Sequence, residues 1–219
     1  MRTVIFDLDG TLADTSGDLI AAANACFRGL GHGDMLDPMR DQSTAFHGGV
    51  AMLRLGFQRL GLDDGRVEEH VPRFRQLYGE NIDVFTTLYP GTIAAVEGLL
   101  GTGYKVGICT NKPADLAEEL MDRLGVRGLF GSLIGADTLP VRKPDPAPFV
   151  AAVTQAGGAV ERSLLVGDTE TDRATARAAG VPSVLVTFGP DGRGVADLQP
   201  EALLDDYADL AKVVSGLIG

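Results

Sequence analysis

Short apolar runs rich in β-branched residues alternate with amphipathic segments along most of this chain. The apolar runs, each of strand length, are Thr3 to Phe6, Tyr104 to Cys109, Ser132 to Ile134, Ser163 to Val166 and Ser183 to Val186. Segments with helical periodicity lie at Thr92 to Leu100, Pro113 to Leu124, Pro146 to Ala156 and Glu170 to Ala179. This alternation predicts an α/β protein in which helices cover both faces of a parallel sheet. The last segment, Leu203 to Ile218, is expected to be a final packing helix.

Residues 14–85 interrupt this alternation, because they carry helical patterns but no convincing strand. Three helices are expected there, around Leu19 to Leu30, Val50 to Leu60 and Val67 to Ile82. Pro72 is expected to kink the third helix or to shift its start. We therefore predict a Rossmann-like parallel-sheet core made of residues 1–13 and 86–219, with a small helical domain, residues 14–85, inserted after the first strand.

The formal net charge of −11 at pH 7 argues against nucleic acid as a partner, because no cluster of Lys and Arg is dense enough to offset repulsion from a phosphate backbone. No apolar run approaches the roughly 20 residues needed to cross a bilayer. Met1 leads almost directly into the first strand, and the two cysteines lack CxxC spacing. These features predict a cytoplasmic protein that does not use a membrane.

Polar motifs follow three of the predicted strands at the point where each strand ends. Asp7-Leu8-Asp9-Gly10-Thr11 follows the first, Thr110-Asn111-Lys112 the second, and Gly167-Asp168 the fourth. Because the carboxyl ends of parallel strands open on one crevice, the three motifs should meet. Asp7 and Asp168 approach each other at modest cost only when a cation or a shared proton lies between them. Ligation by oxygen alone favours Mg²⁺.

The residues of the first two motifs can be given chemical roles. An ionised Asp7 that faces a metal-bound phosphoryl group can attack phosphorus in line. Asp9 can protonate the leaving alkoxide and later deprotonate water. Gly10 lets the backbone turn sharply beside the phosphate. Thr110 offers a hydroxyl, and Asn111 a backbone N–H, to the nonbridging phosphate oxygens.

A lysine is also needed to neutralise phosphate charge, and Lys143 fits best because flanking prolines restrict its backbone. Arg142 is a weaker candidate, and Lys112 is expected to be a solvated surface side chain. Taken singly, these motifs have simpler interpretations. The Asp-rich segment could be a turn, Asp172 could stabilise a helix N-terminus, and Thr110 with Asn111 could cap a helix.

Together the motifs resemble the four signature motifs of the haloacid dehalogenase superfamily of phosphotransferases, over nearly the whole chain. DLDGT resembles the first motif, TNK the second, the lysine of RKPDP the third and GDTETD the fourth. The resemblance implies that Asp7 is the nucleophile and a Mg²⁺ ligand, and that Asp9 is the acid/base and ligates through its backbone carbonyl. It implies that Asp168 is a direct ligand and that Asp172 acts on the metal through water or from the outer coordination sphere.

The same resemblance implies that Thr110, Asn111 and Lys143 contact phosphate, and that the inserted helices form a cap that selects the substrate. DLDGTLADT, YPG, TNKP, RKPDPAPF and GDTETD most resemble phosphoglycolate phosphatases. We therefore expect a Mg²⁺-dependent phosphatase, monomeric or homodimeric, that hydrolyses a small phosphate ester, 2-phosphoglycolate above others, through a phospho-aspartyl intermediate on Asp7. The alternatives are phosphatases for sugar phosphates, nucleotides or pyrophosphate, a phosphomutase, and a non-catalytic phosphate-binding regulator.

Overall fold

The computed structural model describes the backbone of residues 1–219 and every side chain except that of Asp64. It contains two compact units. An α/β unit comprises Met1–Ala13 and Leu88–Gly219, and a helical unit comprises Asp14–Thr87. In the part of the chain that the model describes, no helix has the length and apolar character needed to span a membrane.

The strands and helices are numbered in chain order. The strands are β1 (Thr3–Phe6), β2 (Ala13–Asp14), β3 (Thr87–Leu88), β4 (Lys105–Cys109), β5 (Leu133–Ile134), β6 (Ser163–Gly167), β7 (Ser183–Val186) and β8 (Ala202–Leu204). The helices are α1 (Ser16–Gly29), α2 (Gln42–Ala45), α3 (Gly49–Arg59), α4 (Val67–Glu80), α5 (Thr92–Gly101), α6 (Ala114–Arg123), α7 (Ala147–Gln155), α8 (Glu170–Ala179) and α9 (Leu210–Ile218).

The α/β unit is built on a six-stranded sheet in the order β5-β4-β1-β6-β7-β8. All neighbouring strands of this sheet run parallel, which confirms the predicted fold class. Ile5 and Leu165, in the sheet, pack in one buried cluster with Phe149 of α7 and Ala176 of α8. Phe6 points to the opposite face and contacts the ring of Phe130 edge to face. Helices α5, α7, α8 and α9 contact the strands of this sheet, so the sheet is flanked by helices, as the alternating sequence pattern predicts.

The chain after β7 differs from the prediction. A helix was expected over Leu203 to Ile218, and that expectation is wrong in its first part, because Val184, Leu185 and Val186 pair in parallel with Ala202–Leu204. The final helix, α9, begins only at Leu210. The segment Ala202–Leu204 contains no β-branched residue, so its pairing with β7 decides its conformation more than its own β-propensity does.

The strand order explains where the polar motifs gather. β1 lies at the centre, and Phe6 is in register with Ile108 of β4 and with Val166 of β6. The chain leaves β1 towards β4 and β5 on one side and returns to β6 on the other. The carboxyl ends of β1 and β6 therefore flank the switch point of the sheet, where parallel α/β sheets bind their ligands.

The helical unit has its own buried contacts. Phe27 of α1 and Phe57 of α3 lie with ring centroids 5.7 Å apart. Arg59 binds both carboxylate oxygens of Asp41, at 2.5 and 2.7 Å, and this hydrogen bonding lowers the pKa of Asp41. Pro72 lies inside α4, which still begins at Val67, so the proline does not shift the start of the helix.

Candidate active site

Three buried carboxylates meet where β1 and β6 end. Asp7 follows β1, Asp168 follows β6, and Asp172 lies in the first turn of α8. One oxygen of each lies within 4.8 Å of the others. Asp168 and Asp172 are fully buried, and the Asp7 side chain is 12% exposed. Only Asp7 therefore presents part of its carboxylate to solvent.

Lys143 joins two of these carboxylates. Its Nζ lies 2.6 Å from Oδ1 of Asp172 and 3.0 Å from Oδ2 of Asp7, and its side chain is 1% exposed. Burial alone would lower the pKa of Lys143, but Asp172 and Asp7 raise it above its usual value. Lys143 is therefore held as an ammonium ion beside Asp7. Arg142, the weaker candidate, is exposed.

Burial also dominates the electrostatics of the acids. It raises the pKa of Asp7 to about 6, although Lys143 lowers it, while Asp172 and Asp9 raise it further. The pKa of Asp168 rises well above its usual value for the same main reason, with added repulsion from Asp172 and Asp7. Two carboxylates that raise each other's pKa in this way are stabilised by positive charge placed between them.

Asp172 combines two roles that the sequence presented as alternatives. Its Oδ2 accepts hydrogen bonds from the backbone N–H and the hydroxyl of Thr169, and with Thr169 it forms a capping box at the start of α8. Its Oδ1 instead faces Lys143. The residue stabilises a helix N-terminus and also belongs to the carboxylate cluster.

Asp9 is held by a lysine that the sequence interpretation assigned to the surface. The Nζ of Lys112 lies 2.8 Å from Oδ1 of Asp9, and the Lys112 side chain is 3% exposed. The expectation of a solvated Lys112 is therefore wrong. The position of Lys112 in the sequence could have indicated this contact, because the residue lies in the loop after β4, at the same sheet edge as Asp9. A lysine buried at that edge needs an acidic partner.

Thr110 and Asn111 lie in the loop after β4. The hydroxyl of Thr110 accepts a hydrogen bond from the backbone N–H of Lys112, and the Asn111 side chain donates to the carbonyl of Lys143. Neither caps α6, whose Ala114 N–H donates to Asp137. These bonds connect the loop after β4 to the loop that carries Lys143.

Gly10 is fitted closely to Asp168. It has a φ of +78°, and a Cβ added to it would lie 2.3 Å from Oδ2 of Asp168. The next residue, Thr11, donates from its hydroxyl to Oδ1 of Asp168 and accepts at its carbonyl from the buried hydroxyl of Tyr207. A glycine is needed here both for the backbone conformation and for the close approach of the carboxylate.

The donor set fits a hard divalent cation. Within the described part of the chain, Oδ2 of Asp168 is buried and has no hydrogen-bond partner, which is costly unless something else binds it. When Asp7, Asp9, Asp168 and Asp172 are all ionised, they carry two negative charges more than the ammonium groups of Lys112 and Lys143 offset. An oxygen-only cluster with that excess suits an ion such as Mg²⁺ or Ca²⁺.

Comparison with known families agrees with this geometry. The family model described as haloacid dehalogenase-like hydrolase matches residues 4–186. The matched range runs from β1 to the end of β7, and it includes every candidate site residue named above.

Individual relatives resemble the chain over its whole length. A phosphoglycolate phosphatase of Cereibacter sphaeroides is 37% identical to this chain, and the match covers 100% of both chains. One of Rhodospirillum rubrum is 36% identical, over 95% of this chain and 89% of the relative. The crystal structure of a predicted phosphoglycolate phosphatase from Haemophilus somnus superposes with a TM-score of 0.85 at 26% identity, over 97% of each chain.

Proposed function

This chain belongs to the haloacid dehalogenase-like hydrolases and is a phosphatase of that family, and from this premise we propose that it hydrolyses 2-phosphoglycolate with Mg²⁺ as cofactor. The observation that carries the proposal is the buried cluster of Asp7, Asp168 and Asp172 beside Lys143. The choice of substrate is supported by the relatives. They are named phosphoglycolate phosphatases, and this chain matches them over nearly their full length.

In the proposed reaction Asp7 is the nucleophile. Its carboxylate attacks phosphorus, the bond from phosphorus to the leaving oxygen breaks, and Asp9 gives that oxygen a proton. Asp9 then takes a proton from water, which attacks the phospho-aspartyl group and releases phosphate. Lys143, together with the loop of Thr110 and Asn111, holds the nonbridging oxygens of the phosphoryl group.

The proposed Mg²⁺ would be held by carboxylate oxygens of Asp7 and Asp168 and by the backbone carbonyl of Asp9, with Asp172 in the outer coordination sphere. When bound, the ion offsets the charge of the acids and of the phosphoryl group. Gly10 lets the Asp168 carboxylate approach the backbone of the loop after β1, and the hydroxyl of Thr11 keeps that carboxylate oriented.

We assign substrate selection to the inserted helices. In this proposal residues 1–13 and 86–219 are the catalytic core, and residues 14–85 are a cap domain. The support is the clean division of the chain into an α/β unit and a helical unit. The cytoplasm is the proposed location, because Cys26 and Cys109 are free and buried, as suits a reducing compartment.

A phosphate-release screen tests the proposal. We expect the highest kcat/KM for 2-phosphoglycolate, at least about tenfold above glucose 6-phosphate, nucleotides and pyrophosphate. Chelation should abolish activity and added Mg²⁺ should restore it. Activity that survives chelation would contradict the metal assignment, and a preference for another ester would contradict the substrate. Transfer of the phosphoryl group to a sugar without release would instead identify a mutase.

Gly10→Ala is expected to lower kcat/KM by about 10²-fold, because the added Cβ would lie 2.3 Å from Oδ2 of Asp168 and displace that carboxylate from Asp7 and Asp172. The matched control is Gly180→Ala, since Gly180 has a φ of +70° and an added Cβ there meets nothing within 4 Å. Both variants should lose about 1–2 kcal/mol of stability from backbone strain, but only the first should lose activity. Equal activities of the two variants would contradict the role of Gly10.

A further inference from the structure

Lys112 is a buried cation that the proposed reaction leaves without a role. Its Nζ lies 2.8 Å from Oδ1 of Asp9. The side chain of Lys112 is 3% exposed, whereas that of Asp9 is 20% exposed. The lysine is therefore more deeply buried than the carboxylate that it contacts.

The backbone of Lys112 is held at both of its polar groups. Its N–H donates to the hydroxyl of Thr110 at 3.1 Å, and its carbonyl accepts from the N–H of Ala136 at 2.9 Å. Thr110 is itself tied to β5, because its N–H donates to the carbonyl of Ile134. Because these bonds constrain the backbone of the loop, the ammonium group of Lys112 can hold the carboxylate of Asp9 in one position.

The two buried lysines serve different acids. Lys143 contacts Asp7 and Asp172, whereas Lys112 contacts Asp9. Asp9 lies in the loop after β1, and an aspartate side chain can adopt more than one staggered rotamer. A buried ammonium favours the rotamer that pairs with it, because leaving the charge unpaired is costly.

We propose that Lys112 is a positioning residue, which holds the carboxylate of Asp9 in the orientation from which it exchanges a proton with the leaving oxygen. The inference rests on the proposed function, in which Asp9 is the acid/base. Lys112 touches neither phosphorus nor the attacking oxygen in this proposal, and it acts only through Asp9.

The test compares esters that differ in their need for an acid. Phenyl phosphate releases a basic oxygen that needs a proton, while 2,4-dinitrophenyl phosphate releases a stable anion that needs none. For both esters, kcat/KM reports on the steps up to departure of the leaving group. It does not include the later hydrolysis of the phospho-aspartyl group. In Lys112→Met we expect kcat/KM to fall about 10²-fold for phenyl phosphate and no more than about threefold for the dinitrophenyl ester.

A parallel fall for the two aryl esters would overturn the proposal, because a structural defect affects both alike. A fall confined to 2-phosphoglycolate would also overturn it, because Lys112 would then bind the carboxylate of that substrate. Lys112→Gln keeps a hydrogen-bond donor near Asp9, so it should retain more activity towards phenyl phosphate than Lys112→Met does. It replaces Lys112→Met in the test if the methionine variant does not fold. Lys105→Met, at a half-buried lysine of β4, the strand that precedes this loop, controls for loss of charge.

A double-variant cycle gives an independent readout. If Lys112 acts only through Asp9, then Lys112→Met should lower kcat/KM for phenyl phosphate no further, within about twofold, once Asp9→Asn is present. Additive losses would overturn the proposal. Failure of the wild-type enzyme to release phosphate from any ester would instead defeat the proposed function, so the two failures are distinguishable.

Discussion

Replacing Asp7 with asparagine should lower turnover of phosphate esters by about 10⁴-fold or more and leave the fold intact, because an amide does not attack phosphorus. The amide has nearly the shape of the carboxylate, and it keeps an oxygen able to accept from the N–H of Leu8, as Oδ1 does now at 2.7 Å. Steady-state kinetics with 2-phosphoglycolate, together with circular dichroism and thermal unfolding, measures both parts of this prediction.

The matched control is Asp197→Asn, which removes the same charge from an exposed position. It should retain wild-type turnover. A further measurement follows the intermediate directly: acid-quenched wild-type enzyme should retain phosphate on the protein, and the Asp7→Asn variant should retain none. Turnover of Asp7→Asn comparable to wild type would show that the nucleophile lies elsewhere.

Lys143→Met should cost about 3–5 kcal/mol of stability, because it leaves the carboxylates of Asp7 and Asp172 buried without their shared ammonium. Urea unfolding at pH 7 measures the change. Activity should fall together with stability, since the nonbridging oxygens of the phosphoryl group lose a cation. Adding Asp172→Asn to Lys143→Met should recover part of the stability, because one uncompensated charge is removed, but it should not recover turnover.

A loss below about 1 kcal/mol in Lys143→Met would contradict this assignment, because a cost that small is typical of exposed ion pairs. The chain provides such a pair for comparison. Arg193 and Asp205 form an ion pair in which both side chains are more than half exposed. Arg193→Met should therefore change stability little, and the contrast isolates the effect of burial.

The parallel sheet and the meeting of its motifs were predictable from sequence, because both depend on local patterns. Asp7 and Asp168 each follow a buried apolar run directly, so the position of each strand end determines which side chains reach the crevice. The parallel arrangement then brings residues from distant parts of the chain to one edge.

Two features escaped prediction because they depend on tertiary contacts. The strand β8 owes its conformation to β7, and its sequence Ala-Leu-Leu suits a helix as well. The backbone of Lys112 is held in part by the loop after β5, whose Ala136 N–H donates to its carbonyl. A lysine in a polar motif is ordinarily a surface residue. The burial of Lys112 is explained by its contact with Asp9, which lies more than a hundred positions earlier in the chain.

The central place of β1 has a consequence for the order of synthesis. This strand is made before every other strand of its sheet, yet its neighbours β4 and β6 begin at Lys105 and Ser163. The loop that carries Asp7 is held in turn by Tyr207, which lies 196 positions beyond Thr11. A nascent chain therefore carries the proposed nucleophile long before the sheet around it is complete, and phosphate release is expected to begin only after the last segments have been made.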